Sequence, residues 1–203
     1  MSKVALTGNA SGTGTLTVAA PNTNSDYTLT LPESTGTMAT QAYVIAALAA
    51  TFTQGTEQAT TSGTAFDFTG IPAGVNRVTV TFRGVSLTGT DSLLIQIGDS
   101  GGIETSGYTA NGVGVSGGGS FVLNSTAGFP VAVAVASFTP SGAMTLTRSG
   151  GNDWVASHAL FMASTQGAFG GGTKTLSGEL TQLRVTRTST NTFDAGAVNI
   201  AWE

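Results

Sequence analysis

Cysteine is absent from all 203 residues, which excludes disulfides, thiolate catalysis and any cysteine-based zinc site. Charge is scarce as well. Only 9% of residues are Asp, Glu, Lys or Arg, against about 25% in an average globular domain. Seven basic residues face eleven acidic ones, giving a net charge of −4. Such a chain carries no electrostatic footprint for nucleic acid, which is not expected as a partner. Long apolar runs are missing too. The stretch "AYVIAALAA" (42–50) is too short to span a bilayer, so no membrane insertion is expected. The opening "MSKVALTGNASGTG" has one lysine and no apolar core of a secretory leader, which points to synthesis in a cytoplasm without a signal peptide.

What the chain does have is threonine, glycine and alanine: 35, 29 and 26 residues. Threonine suits a pleated, half-exposed surface because its β-branch restricts χ1 as strands prefer. Glycine and asparagine supply turns between such strands. Residues 54–203 accordingly read as strands, among them "TAFDF" (64–68), "RVTVTFRGV" (77–85), "SLLIQIG" (92–98), "FPVAVAVASF" (129–138), "WVASHALFMAS" (154–164), "ELTQLRVTRT" (179–188) and "AVNIAWE" (197–203). "GIPAGVN", "LTGTD", "SGGGS", "TPSG", "SGGND", "GAFGGGT" and "TFDAG" read as connections between them. The expected fold is all-β, an antiparallel sandwich with jelly-roll-like character, forming a head domain over 54–203.

Residues 1–38 hold two short alternating segments, Thr15-Leu16-Thr17-Val18 and Thr28-Leu29-Thr30-Leu31, joined by the turn-rich "APNTNSD". A two-stranded ribbon of this kind is marginal in water by itself, and identical copies from neighbouring subunits would cover its apolar face. Residues 39–53 predict one short helix with Thr40 as N-cap. Met38, Gln41, Ile45, Leu48 and Phe52 form a stripe at 3-4 spacing. That stripe either packs on its own domain or forms a coiled-coil collar, with Met38, Ile45, Leu48 and Phe52 as the oligomer interface.

The pentapeptide Gly98-Asp99-Ser100-Gly101-Gly102 spells the sequence around the nucleophile of chymotrypsin-like proteases. Acyl transfer by serine needs an imidazole within hydrogen-bond reach and a carboxylate to orient it. The single histidine, His158, follows Ser100 instead of preceding it, and Ile103 stands where that motif has proline. The structural reading needs nothing extra: Leu94–Ile97 is a strand, and Asp99 accepts backbone N–H bonds in a glycine turn. His158 lies in an alternating segment and reads as a strand histidine near a sheet surface. No catalytic residue is assigned. Asp91, Asp99, Glu104 and Asp153 are scattered through turns without calcium-loop spacing, so no metal ligand or cofactor is expected, a single loop-bound Ca²⁺ being the alternative.

Sugar binding asks for a planar aromatic beside amides and carboxylates. "GGNDWVASH" (150–158) offers Asn152, Asp153 and Trp154, and "SGYTANG" (106–112) offers Tyr108 and Asn111. These five are the candidate glycan-binding residues. The competing reading makes Trp154 a core aromatic and Tyr108 a loop anchor.

Two stretches carry a family resemblance. "GNASGTGTLTVAAPNTNSDYTLTLPESTGTM" resembles a module of tailed-bacteriophage tail fibres and related virion proteins, through Gly12, Gly14, Thr17, Ala20, Pro21, Thr23, Asn24, Thr28–Pro32, Gly36 and Thr37. "FDFTGIPAGVNRVTVTFRGVSLTGTDSLLIQIGDSGGIETSGY" (66–108) is similar to phage fibre and tail-associated domains, and it contains the pentapeptide. The resemblance implies a homotrimeric virion fibre subunit. Its N-terminal part would join other virion proteins of tail, baseplate or capsid, and its C-terminal domain would meet bacterial cell-surface carbohydrate. The chain is far shorter than a long tail fibre and holds one copy of the N-terminal module, leaving tail and head locations both open. A capsid-decoration or baseplate protein without a receptor role, and a surface-polysaccharide depolymerase, are the competing functions.

Overall fold

The computed structural model describes residues 11–14, 22–26, 28 and 52–203, the last range without 117, 132–134 and 164–165. The chain divides into two compact units, residues 1–39 and 40–203. In the first, the described residues are exposed, and Ser25 N donates to Thr23 Oγ1 at 3.1 Å, a hydroxyl-closed turn within "APNTNSD". The expected ribbon strands and helix, with Met38, Ile45 and Leu48, lie outside the described residues. Phe52 is 57% exposed. Thr53, assigned above to the helix, is instead the first residue of a strand.

The second unit is all-β over its described residues. Its strands are β1 (Thr53–Gln54), β2 (Gln58–Ala59), β3 (Phe66–Thr69), β4 (Arg77–Leu87), β5 (Leu93–Asp99), β6 (Gly102–Ile103), β7 (Tyr108–Ser116), β8 (Gly119–Ser125), β9 (Phe129–Val131), β10 (Ser141–Gly150), β11 (Asp153–Ala163), β12 (Gln166–Thr175), β13 (Gln182–Arg187) and β14 (Phe193–Trp202). Every pairing is antiparallel. A large sheet runs β1-β14-β4-β10-β11-β12-β7-β8 with β2 also on β14, and a small one runs β3-β13-β5-β6 with β9 also on β5.

The two sheets share one core, a sandwich-like arrangement that follows from alternation. Val78, Val80 and Phe82 of β4 point inward, as do Trp154, Ala156, Leu160 and Met162 of β11; opposite them lie Ile95 and Ile97 of β5 and Leu183 and Val185 of β13. The continuous run "LLIQIGD" is buried at every position because its far side is covered as well. There Gln96 Nε2 donates to Ala127 O at 2.9 Å, and Gly128 approaches Leu94 so closely that a Cβ would lie 2.7 Å from its Cγ.

Three expectations are corrected. "GAFGGGT" is not a turn but the core of β12, paired with "TANG" of β7 in the large sheet. Glycine is favoured there for a steric reason: a Cβ at Gly170 would sit 2.3 Å from Asn111 O and 2.8 Å from His158 Cε1. "TFDAG" is likewise strand, the start of β14, with register breaks at Ala195 and Ala197 around Gly196 at φ +92°. In the other direction, "FPVAVAVASF" is not one strand to Phe138. β9 ends at Val131, and Phe138 N closes a turn on Val135 O at 3.1 Å.

Candidate functional site

The last strand carries the site. Inward positions of β14 are Val198, Ile200 and, at its very end, Trp202, which pairs with Val78 and Thr53 where the sheet stops. Val198 and Ile200 are covered, but Trp202 is only partly buried: it packs against the core and also lines two clefts. One cleft, about 560 Å³, is bounded by Thr53, Pro72, Asn76, Trp202 and Glu203. The other, about 510 Å³, lies between the two sheets' edges and is bounded by Gln54, Gln58, Asp67, Thr69 and Trp202.

Polar groups around the indole are held in place. Asp67 takes a two-pronged bond from Arg184, Nε to Oδ1 at 2.6 Å and a terminal nitrogen to Oδ2 at 2.7 Å. The Arg184 bonds hold the Asp67 carboxyl below its ordinary range. Gln58 Nε2 donates to Asp67 O at 2.9 Å. Across the ring, Glu203 pairs with Arg77 at 2.5 Å, while Asn76 N and Arg77 N donate to Glu203 O at 2.8 and 3.0 Å. An aromatic face flanked by amides, a hydroxyl and fixed carboxylates matches a ligand with apolar C–H faces and a periphery of hydroxyls.

The residues expected to bind glycan are placed differently. Trp154 is 2% exposed and Tyr108 1%, so neither ring can stack on a sugar. Asp153 and Asn111 are exposed and Asn152 half-buried, but the aromatic partners that motivated them face the core. Asp153 Oδ1 accepts from Thr175 Oγ1 at 2.5 Å, and Asn111 projects from the outer face of β7, whose alternate residues Tyr108, Gly112 and Gly114 are buried. Alternation shows that Trp154 and Tyr108 share a face with buried neighbours. The signal for Trp202 was its place as the final inward residue of a strand, where the covering sheet ends.

The pentapeptide is a tight hairpin. Gly98 pairs with Ile103 and Asp99 with Gly102, and Gly101 N donates to Asp99 Oδ1 at 2.7 Å, as the turn reading expects. Ser100 is exposed. His158, expected near a sheet surface, is buried at 6% exposure on the inner face of β11, and neither ring nitrogen has a hydrogen-bond partner. Its ring nitrogens therefore make no bond to the Ser100 hydroxyl. Burial lowers its pKa to about 4.

A clasp unmarked in the sequence holds the hairpin. Ser177 Oγ lies 2.6 Å from Asp99 Oδ2 and 2.9 Å from Glu104 Oε1, and Ser177 N donates to the same Glu104 oxygen at 2.8 Å. Asp99 is held below its ordinary pKa by the Ser177 hydroxyl first and the Gly101 N–H second. Burial pushes Glu104 up, but its ion pair with Lys174 and the Ser177 bonds outweigh that and leave it lowered. Lys174 is 6% exposed, with its ammonium 5.3 Å from the centre of the Tyr108 ring. Glu104 and Lys174 are spent on each other and Asp99 on Ser177 and Gly101, which makes the clasp structural. Among the described residues, no three His, Cys, Asp or Glu side chains gather as a metal-ligand set, and no helix is long and apolar enough to cross a membrane.

No protein-family model, curated protein or solved structure matches this chain.

Proposed function

We propose that this chain is a non-enzymatic bacteriophage fibre subunit that joins the particle through residues 1–38 and meets bacterial surface carbohydrate through the clefts beside Trp202. In this reading the subunit is a homotrimer with a helical collar over 39–52 and a jelly-roll-like head. The single observation that carries the binding role is Trp202 with its two clefts, each edged by polar side chains. The resemblance of residues 12–37 and 66–108 to fibre proteins supplies the virion context. Pairing of Asp67 with Arg184, which holds that carboxyl below its ordinary range, favours binding over hydrolysis, because a glycosidic acid must keep its proton at working pH.

Titration of purified bacterial surface polysaccharide into the full chain tests the reading, with indole fluorescence and heat as readouts. Trp202→Ala is expected to lose at least tenfold in affinity while its far-UV spectrum stays that of the parent; Trp154→Phe is expected to keep it. Unchanged affinity in Trp202→Ala would remove the site. Oligosaccharide fragments appearing in the mixture would replace binding with depolymerisation.

A further inference from the structure

The outer face of the large sheet carries a contiguous apolar patch over β11, β12, β7 and β8. Cross-strand registers place Ala159, Phe169, Val113 and Val122 in one row, and Phe161, Gly167, Val115 and Ser120 in the next. Phe161 is 57% exposed, Phe169 51% and Val122 59%. Gly167, between Phe161 and Val115, has no side chain and leaves a dip in the row. Half-exposed aromatic and valine side chains of this number present a patch of roughly 400 Å². That is about the apolar share of a standard interface, which buries about 800 Å² per partner.

Charge decides what covers it. Outward positions of β11, β12, β7 and β8 are apolar, glycine, hydroxyl or amide, and the one charged residue, Asp153, stands at the end of β11 bonded to Thr175. A nucleic acid, an anionic membrane or an acidic protein would find no cation here. Copies of a chain with net charge −4 repel wherever their charges meet, and this uncharged face is where two can approach without that cost.

We infer that the outer face of β11, β12, β7 and β8, centred on Phe161 and Phe169, is a self-association surface occupied by a second copy of this chain. The inference needs neither the virion nor the carbohydrate: it is a contact of the sandwich itself, separate from the stripe of Met38, Ile45, Leu48 and Phe52.

Sedimentation velocity on the full chain across the micromolar range tests it, comparing the parent with Phe161→Asp and Phe169→Asp. Both positions point outward, so each variant is expected to keep the parent's circular dichroism and melting temperature within a few degrees. The expected result is an oligomeric parent whose dissociation constant rises at least 100-fold in either variant. Phe169→Ser, which adds no charge, is expected to give a smaller rise in the same direction and serves if an aspartate variant misfolds. A monomeric parent overturns the inference. So does an oligomer of unchanged mass in the variants, an outcome that leaves the fibre reading standing because residues 1–53 would then hold the copies together.

Discussion

The backbone N–H of Ile97 donates to the Tyr108 hydroxyl at 2.8 Å, joining β5 of the small sheet to β7 of the large one. Between β9, which pairs with Leu93–Ile95, and β6, which pairs with Gly98–Asp99, the β5 ladder has a gap, and the phenol fills it. Its own proton is directed at Glu104 O, 2.9 Å away, or Ile97 O at 3.2 Å. Phe129 packs edge-on against the ring at 5.0 Å.

Tyr108→Phe keeps that packing and leaves Ile97 N–H buried without its partner. The expected loss is about 1–3 kcal/mol, the cost of an unsatisfied buried donor, read from urea unfolding. A loss inside ordinary surface scatter, below about 0.5 kcal/mol, would mean that the gap needs no phenol.

His158 makes stability depend on acid. Its folded pKa is about 4 and its ordinary value 6.5. Between those values the unfolded chain binds a proton that the folded chain refuses, so stability falls as pH drops through this window and is complete above it. The full effect is about 3 kcal/mol. His158→Leu is expected to flatten the pH 6.5–4 slope, while the lowered carboxylates Asp67, Asp99 and Glu104 still act at the acid end. At neutral pH the variant should be at least as stable as the parent, since it buries no unpaired ring nitrogen. An unchanged slope would show that the imidazole is hydrated.

In the pentapeptide, the glycine matters more than the serine. Gly102 has φ +124°, a conformation L residues rarely adopt, so Gly102→Ala should cost about 1–3 kcal/mol. Ser100→Ala should stay within about 0.5 kcal/mol. Thermal melts of both separate a turn from a nucleophile's scaffold; equal effects would contradict the turn assignment.

Asp67→Asn tests how much the ion pair with Arg184 contributes. Both side chains are more than a third exposed or close to it, at 43% and 35%, so solvent screens the pair and the expected loss is below about 1 kcal/mol. Polysaccharide binding should fall by more than that stability change suggests, because the carboxylate borders the Trp202 cleft. Equal binding by parent and variant would remove Asp67 from the site.

Much of the fold was legible because alternation is local. In "WVASHALFMAS" the alternation puts Trp154, Ala156, His158, Leu160 and Met162 on one side of a strand, and the strand keeps them there, but that this side is the buried one, against the surface position expected for His158, was not legible. The glycine-rich strands were not legible. Gly170–Gly172 look like a turn until β7 and β11 press from either side, and only that closeness makes glycine a strand residue. The site was missed for a related reason: Trp154 sits beside the polar turn that carries Asn152 and Asp153, while Trp202 acquires Asn76, Gln58 and Asp67 from segments far away in the chain.

By itself the sequence determined the β class, the pairing of residues on common strand faces and the near absence of charge, all properties of period and composition. Tertiary structure alone decided which faces are covered. Period-2 alternation says that two residues share a side, but burial depends on where the opposing sheet lies and where it ends. That distance-dependent fact puts Trp154 and His158 in the core, leaves Trp202 at an open rim, and leaves Phe161 and Phe169 facing outward.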